Sequence, residues 1–267
     1  MGRRGRTGQN ARRRGVTAGA HGEPAPLGGA EWVSVLQADG ELAARLPEAT
    51  VAEAPPFAVA QARWLDAGEW HPDYDVGEDP RGRLGLLVID GFLARRVQVL
   101  DRPSTELLGH GDLLIPWEPD RTEPFTARAR WEVLEPARIA VLDRRFTGII
   151  GRWPDLSAAL LARAVSRSRA AALTLAIGQL VGVELRLLVL LWHIAERWSA
   201  REAEGTVLPV HLTHELLASL ISAQRATVTR GLRALTEEGR VSRAADGRLV
   251  LHGDPPAQFR RLQSELD

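Results

Sequence analysis

The sequence predicts an α+β chain in which an N-terminal β-roll is followed by a long helix and then by a helix-turn-helix with a wing. Three observations predict it. From Arg63 to Asp143, apolar runs such as LGLLVID, FLARRVQVL, TELLGHGDLLI and ARIAVLD alternate with Gly, Pro and Asp turns. From Asp155 to Ser199 such turns become rare and apolar residues recur at helical spacing. From Leu212 to Gly253, two short helical periodicities flank Ser222-Ala223, and two strand-like runs follow around Asp246-Gly247.

A chain of 267 residues that is 45% hydrophobic can form two modest domains with real cores. Its formal net charge is zero, so attraction to a polyanion must come from local clustering. With no cysteine, disulfides, thiolate zinc and cysteine-held iron–sulfur clusters are excluded. Arg3, Arg4, Arg6, Arg12, Arg13 and Arg14 crowd a Gly-rich start in which Glu23 is the first acid. Residues 1–30 therefore read as a disordered basic tail, either a nucleic-acid arm or a solvated leader, without the apolar core of a secretory signal. The apolar run Leu173–Trp192 carries Gln179, Glu184 and Arg186, which makes it a buried helix rather than a membrane span.

Glu31 to Pro47 reads as short helical pieces, with Leu42 and Leu46 four apart. Within the roll, Asp90-Gly91 is a hairpin signal. Pro154 suits the first turn of a helix carrying Leu156, Leu160, Ala164, Ala171 and Ile177, small enough to pack within the chain or against a second copy. A second helix spans Val183 to Ser199, and AREAEGTVLP reads as a loop.

Thr213 is an N-cap, Glu215 favours the helix dipole, and Leu216, Leu217, Leu220 and Ile221 form one stripe. After the break at Ser222-Ala223 a second helix runs from about Gln224 to Glu238, closed by Gly239. Val228, Leu232 and Leu235 face its core. Ala226, Thr229, Arg230 and Arg233 lie opposite, with Arg225 near the exposed N-terminal end, a division that suits a helix entering a DNA major groove ~12 Å wide. Arg243 and Arg248 sit near the tip of the following hairpin, where a wing touches phosphate.

LTHELLASLISAQRATVTRGLRALTEEGRV, residues 212–241, resembles the winged helix-turn-helix of the Crp/Fnr transcription-regulator family, with Arg225, Thr227, Val228 and Arg230 in its R-x-T-V-x-R pattern. The resemblance implies a cyclic-nucleotide-binding-like jelly roll, a long dimerisation helix and the winged domain, in that order. It divides the chain into the tail 1–30, a sensor roll 31–153, the dimerisation helix 154–182, the DNA-binding domain 183–253 and a C-terminal tail 254–267. It further implies a cytoplasmic homodimer without enzymatic activity, with double-stranded DNA and RNA polymerase as partners and no membrane. Arg225, Thr227, Thr229, Arg230, Arg233, Arg243 and Arg248 are the DNA-contact candidates. Two positions depart from the family pattern. Ser222 stands where the family usually has Gly, implying mild strain at positive φ. Ala226 replaces a Glu that accepts from cytosine, so the target sequence should differ.

In cyclic-nucleotide-binding members a G-E-L turn holds the ribose and an Arg with Ser or Thr grips the phosphate. Here Gly111-Asp112 begins that turn, but Pro116 falls at the Glu position and Thr126-Ala127 at the grip. Glu118, Arg121 and Arg128 are the weak replacement candidates. No cofactor is expected, and the effector is unassigned. His71 and His110 stand alone, which disfavours a cupin-like metal site and leaves only a minor haem reading. The remaining rival is a sensor or scaffold whose winged domain binds protein.

Overall fold

The computed structural model describes residues 31–72, 82–99, 102–116, 128–199 and 205–256. The expected basic tail, the candidates Glu118 and Arg121, and the chain beyond residue 256 lie outside them. Arg128 is described only as the first residue of a strand.

Among the described residues, seven antiparallel strands form the roll: β1 (Glu31–Ser34), β2 (Val59–Leu65), β3 (Gly68–Trp70), β4 (Gly85–Val99), β5 (Arg102–Leu108), β6 (Leu113–Leu114) and β7 (Arg128–Leu142). Their order is β1-β2-β7-β4-β5, with β3 beside β7 and β6 beside β4. Residues of β4 alternate between two cores, as period-two geometry requires. Leu87 and Ile89 join Leu42, Phe146, Ile150, Leu156 and Leu160 under the helices. Leu86 and Val88 join Leu108, Trp131, Ile139 and Val141 on the other face.

Asp90-Gly91 is not the hairpin turn that its sequence suggests. It lies inside β4, where the register against β7 shifts between Val88 and Leu93. Gly91 has φ 82, and a Cβ there would meet the Pro136 carbonyl oxygen at 2.3 Å. A bulge needs the same positive φ as a tight turn, so the local signal cannot separate the two. Glu31–Ser34 is likewise a strand rather than helix, because it pairs with β2 along the sheet edge.

Short helices α1 (Val35–Ala38), α2 (Gly40–Ala43) and α3 (Glu48–Glu53) precede β2. After β7 come α4 (Arg144–Ile150), capped by the Asp143 carboxylate on Phe146 N (2.8 Å), and α5 (Pro154–Ile177), with its proline in the first turn. At 24 residues, α5 spans about 36 Å. Next, α6 (Val183–Trp198) is buried along almost its whole length, including Leu187 to Ala195.

The C-terminal part packs around α6: β8 (Thr206–Val207), α7 (His214–Leu220), α8 (Arg225–Glu237), β9 (Val241–Arg243) and β10 (Leu249–Leu251). The last strands form a sheet in the order β8-β10-β9, so the loop read from the sequence contributes a strand to the wing. Phe92, Ala94 and Leu107 of the roll share one core with α6, α7 and α8. Among the described residues no helix is long and apolar enough to cross a membrane.

Candidate nucleic-acid interface

The turn between α7 and α8 is set by local chemistry. Thr213 caps α7, its hydroxyl accepting from Leu216 N at 3.1 Å. Ser222 has φ 53, and Ala223 N donates to the Ala218 carbonyl at 2.9 Å. Serine thus occupies the left-handed position of a Schellman turn that glycine usually holds. At the far end of α8, Gly239 (φ 68) closes the same motif, with Arg240 N on the Leu235 carbonyl at 2.9 Å.

Val228, Gly231, Leu232 and Leu235 bury one face of α8 against α6. At Gly231 the two helices approach so closely that a Cβ would lie 2.9 Å from Leu187 Cδ1 and 3.0 Å from Val183 Cγ1. The opposite face, with Ala226, Thr229, Arg230 and Arg233, is exposed, as are Arg225 and Thr236. Thr227 sits on the flank, half-buried.

Each candidate has a distinct environment. The guanidiniums of Arg225 and Arg230 make no hydrogen bond or ion pair among the described residues and are open to a ligand. Arg233 pairs with Glu237 one turn on (2.7 Å), and Arg248 with Asp246 (2.6 Å). Arg243 donates to the Gly247 carbonyl at 2.9 Å, the wing turn in which Gly247 has φ 89.

His214 ties these groups together. Thr229 donates to the Arg225 carbonyl (3.0 Å) and so accepts from His214 Nδ1 (2.8 Å). His214 Nε2 then accepts from Arg243 Nη2 at 3.4 Å. This arrangement requires a neutral imidazole, and burial, followed by the Arg243 and Arg225 guanidiniums, lowers the His214 pKa. The ring thus joins the wing to α8. No short sequence pattern marks it, because its partners lie 15 and 29 residues away.

The winged part docks on the roll through polar contacts. Arg197 at the end of α6 donates to Asp112 (2.6 Å), Trp198 Nε1 donates to the His110 carbonyl (3.1 Å), and Ser219 meets Thr105. His211 takes Glu135 at 2.8 Å, which raises its pKa. Inside the roll, the Glu106 carboxylate sits between Arg95 (2.5 Å) and Arg167 (2.8 Å).

Residues 185–256 match the Crp-like helix-turn-helix domain. No curated protein matches the chain. Among solved structures, a cyclic nucleotide-binding domain containing protein from Listeria monocytogenes is 13% identical at TM-score 0.56, covering 79% of this chain and 94% of its own. FixK2 from Bradyrhizobium japonicum is 18% identical at TM-score 0.54, covering 77% and 96%. A CRP-family transcriptional regulator from Thermus thermophilus is 21% identical at TM-score 0.51, covering 74% and 95%. At these identities the likeness is one of fold. The chain carries a Crp-like helix-turn-helix domain in its C-terminal part and has, over the 74–77% of its length that these structures cover, the fold of the Crp/Fnr-type transcription regulators.

Proposed function

We propose that this chain is a homodimeric, sequence-specific DNA-binding regulator that acts in the cytoplasm on promoter DNA and through it on RNA polymerase. The observation that carries the reading is the exposed face of α8, where Arg225 and Arg230 stand unpaired beside small side chains. Unpaired guanidiniums beside alanine and threonine can reach base edges and adjacent phosphates. Thr227 and Thr229 support them, and Arg243 and Arg248 of the wing meet phosphate. Arg233 must first exchange Glu237 for DNA, and Arg248 must exchange Asp246.

Dimerisation is supported by the outer face of α5. Ala158, Leu161, Val165, Ser168, Ala172 and Leu175 follow a 3-4-3-4-3 spacing and are all exposed, Leu161 at 64% and Leu175 at 60%. That spacing is a coiled-coil seam, directly opposite the face that Arg163 and Ala170 bury against the roll. Two such chains would set their α8 helices on half-sites about 34 Å apart.

The expected division into a sensor roll 31–153, helix 154–182 and DNA-binding domain 183–253 forms part of this proposal, with cyclic AMP not bound by the usual residues. Glu106 already supplies the carboxylate that neutralises Arg95 and Arg167 inside the roll.

The test is selection of genomic fragments by the purified protein, repeated with Arg225→Ala and Arg230→Ala. The wild type should recover a palindrome, with affinity falling steeply as salt rises. Each variant should lose roughly 5- to 100-fold, consistent with the loss of one good base contact. Absent or salt-insensitive binding by folded wild type would instead assign the winged domain to a protein partner.

A further inference from the structure

The turn Gly109-His110-Gly111-Asp112 is the meeting point of three parts of the chain. Gly109 leaves room for Trp198, since a Cβ would stand 2.9 Å from its ring. Gly111, at φ 79, leaves room for the Arg163 guanidinium of α5, 2.5 Å from a Cβ built there. Arg163 grips both oxygens of the fully buried Asp39 at 2.7 and 2.9 Å and reaches Glu41 at 3.3 Å. Above this floor opens a cleft of about 530 Å³, bordered by the turn, by α2 and its following residues, by α5 and by the last turn of α6. That volume suits a metabolite.

The cleft has spare donors, whereas the acceptors on its floor are taken. Asp39 is held by Arg163 and by Leu42 N at 2.8 Å. Asp112 accepts from Arg197 (2.6 Å) and from Gly109 N (3.0 Å). In contrast, His110 gives one ring N–H to the Ile89 carbonyl (2.6 Å), while Nε2 makes only a long contact with Asp39 at 3.5 Å. Asp39 raises the His110 pKa to about 9, so this nitrogen carries a proton at neutral pH. Arg45 and Ser166 are exposed on the rim, and their side chains make no hydrogen bond or ion pair among the described residues. The exposed Arg45 and Ser166 donors select an acceptor-rich ligand. Glu41 and Glu196, whose carboxylates also line the cleft, disfavour polyanions.

We propose that this cleft binds a small anion, a carboxylate- or phosphate-bearing metabolite, through Arg45, Ser166 and His110. The ligand bridges the roll, α5 and the end of α6, and therefore favours the docked position of the winged part. This site stands on its own geometry and does not depend on the DNA-binding reading.

The experiment is isothermal calorimetry of the full chain with inorganic phosphate and with succinate, at constant ionic strength. One saturable site per chain is expected for at least one probe. The double variant Arg45→Ala/Ser166→Ala, in which both residues are exposed and unpartnered and so dispensable for folding, should weaken it at least about tenfold, the loss of one or more charge-assisted hydrogen bonds. Affinity should also fall above about pH 9, as His110 loses its proton. Arg225→Ala/Arg230→Ala should retain the site. No saturable heat from either probe, equal binding by the rim variant, or loss only in the α8 variant would overturn the proposal.

Discussion

Ser222 and Gly111 both stand at positive φ, 53 and 79, but for different reasons. Ser222 is exposed, and only its own backbone is strained. Ser222→Gly should therefore raise stability by up to ~1 kcal/mol in urea unfolding, since relief of left-handed strain outweighs glycine's added chain entropy. Gly111→Ala has no such freedom. It adds strain and presses on Arg163, the partner of a carboxylate with no exposure, so about 2–4 kcal/mol should be lost. Two histidines then shape the pH dependence. The His110 pKa is raised to about 9 by Asp39, so its stabilisation is complete below the unfolded value near 6.5 and disappears as pH rises through 9. Its partial exposure limits the effect to on the order of 2 kcal/mol. The His193 pKa is pushed down to about 4 by burial and by Arg197, so stability falls as pH drops from 6.5 to 4, where only the unfolded chain takes the proton. Thermal unfolding should peak near pH 6.5. His110→Gln should flatten the alkaline limb and His193→Gln the acid one.

At the scale of elements, the crossing of α6 and α8 decides how the exposed face of α8 is presented. Gly231 sets that distance, with Leu187 and Val183 pressed against it. Gly231→Ala gains about 1 kcal/mol of helix propensity and gives most of it back in tight contacts, so little net change is expected. Gly231→Leu should cost about 1–3 kcal/mol in denaturant unfolding and weaken DNA binding by tilting α8. The linker between α5 and α6 divides its work between two glycines. Gly182, at φ 89, needs glycine's backbone freedom, whereas Gly178 is helical, and its carbonyl accepts from Arg186, which also donates to Ile221 in the turn before α8. A signal that rotates the winged part would pass through this joint, and Gly178→Ala/Gly182→Ala should alter DNA affinity or its response, read by fluorescence anisotropy.

For the whole molecule, assembly is the quantity to measure. Leu161→Glu/Leu175→Glu puts carboxylates on the exposed seam of α5 without touching the face packed on the roll. If the proposed dimer forms through this seam, sedimentation should show dimers for the wild type and monomers for the variant, with thermal stability of the monomer unit retained and palindrome affinity lost. The organisation of the chain is legible in its sequence because periodicity is local: Leu156 and Leu160, or Val228, Leu232 and Leu235, announce their buried faces at spacings of three and four. Asp90-Gly91 and Glu31–Ser34 mislead a local reading because a bulge shares the glycine signal of a turn, and an edge strand depends on a partner far along the chain.

The sequence by itself determined the order of roll, long helix and winged helix-turn-helix, the caps at Thr213 and Gly239, and the face of α8 that bears Arg225 and Arg230, since each follows from residues within a few turns of one another. Arg233 and Arg248 are held by Glu237 and Asp246, four and two residues away, so that pairing too is local, whereas the tertiary structure decided the distant ones. It alone also brought Asp39 to Arg163 across 124 residues and Arg197 to Asp112 across 85, making the cleft above the glycine turn. Folding places such groups together, and no local pattern encodes their distance.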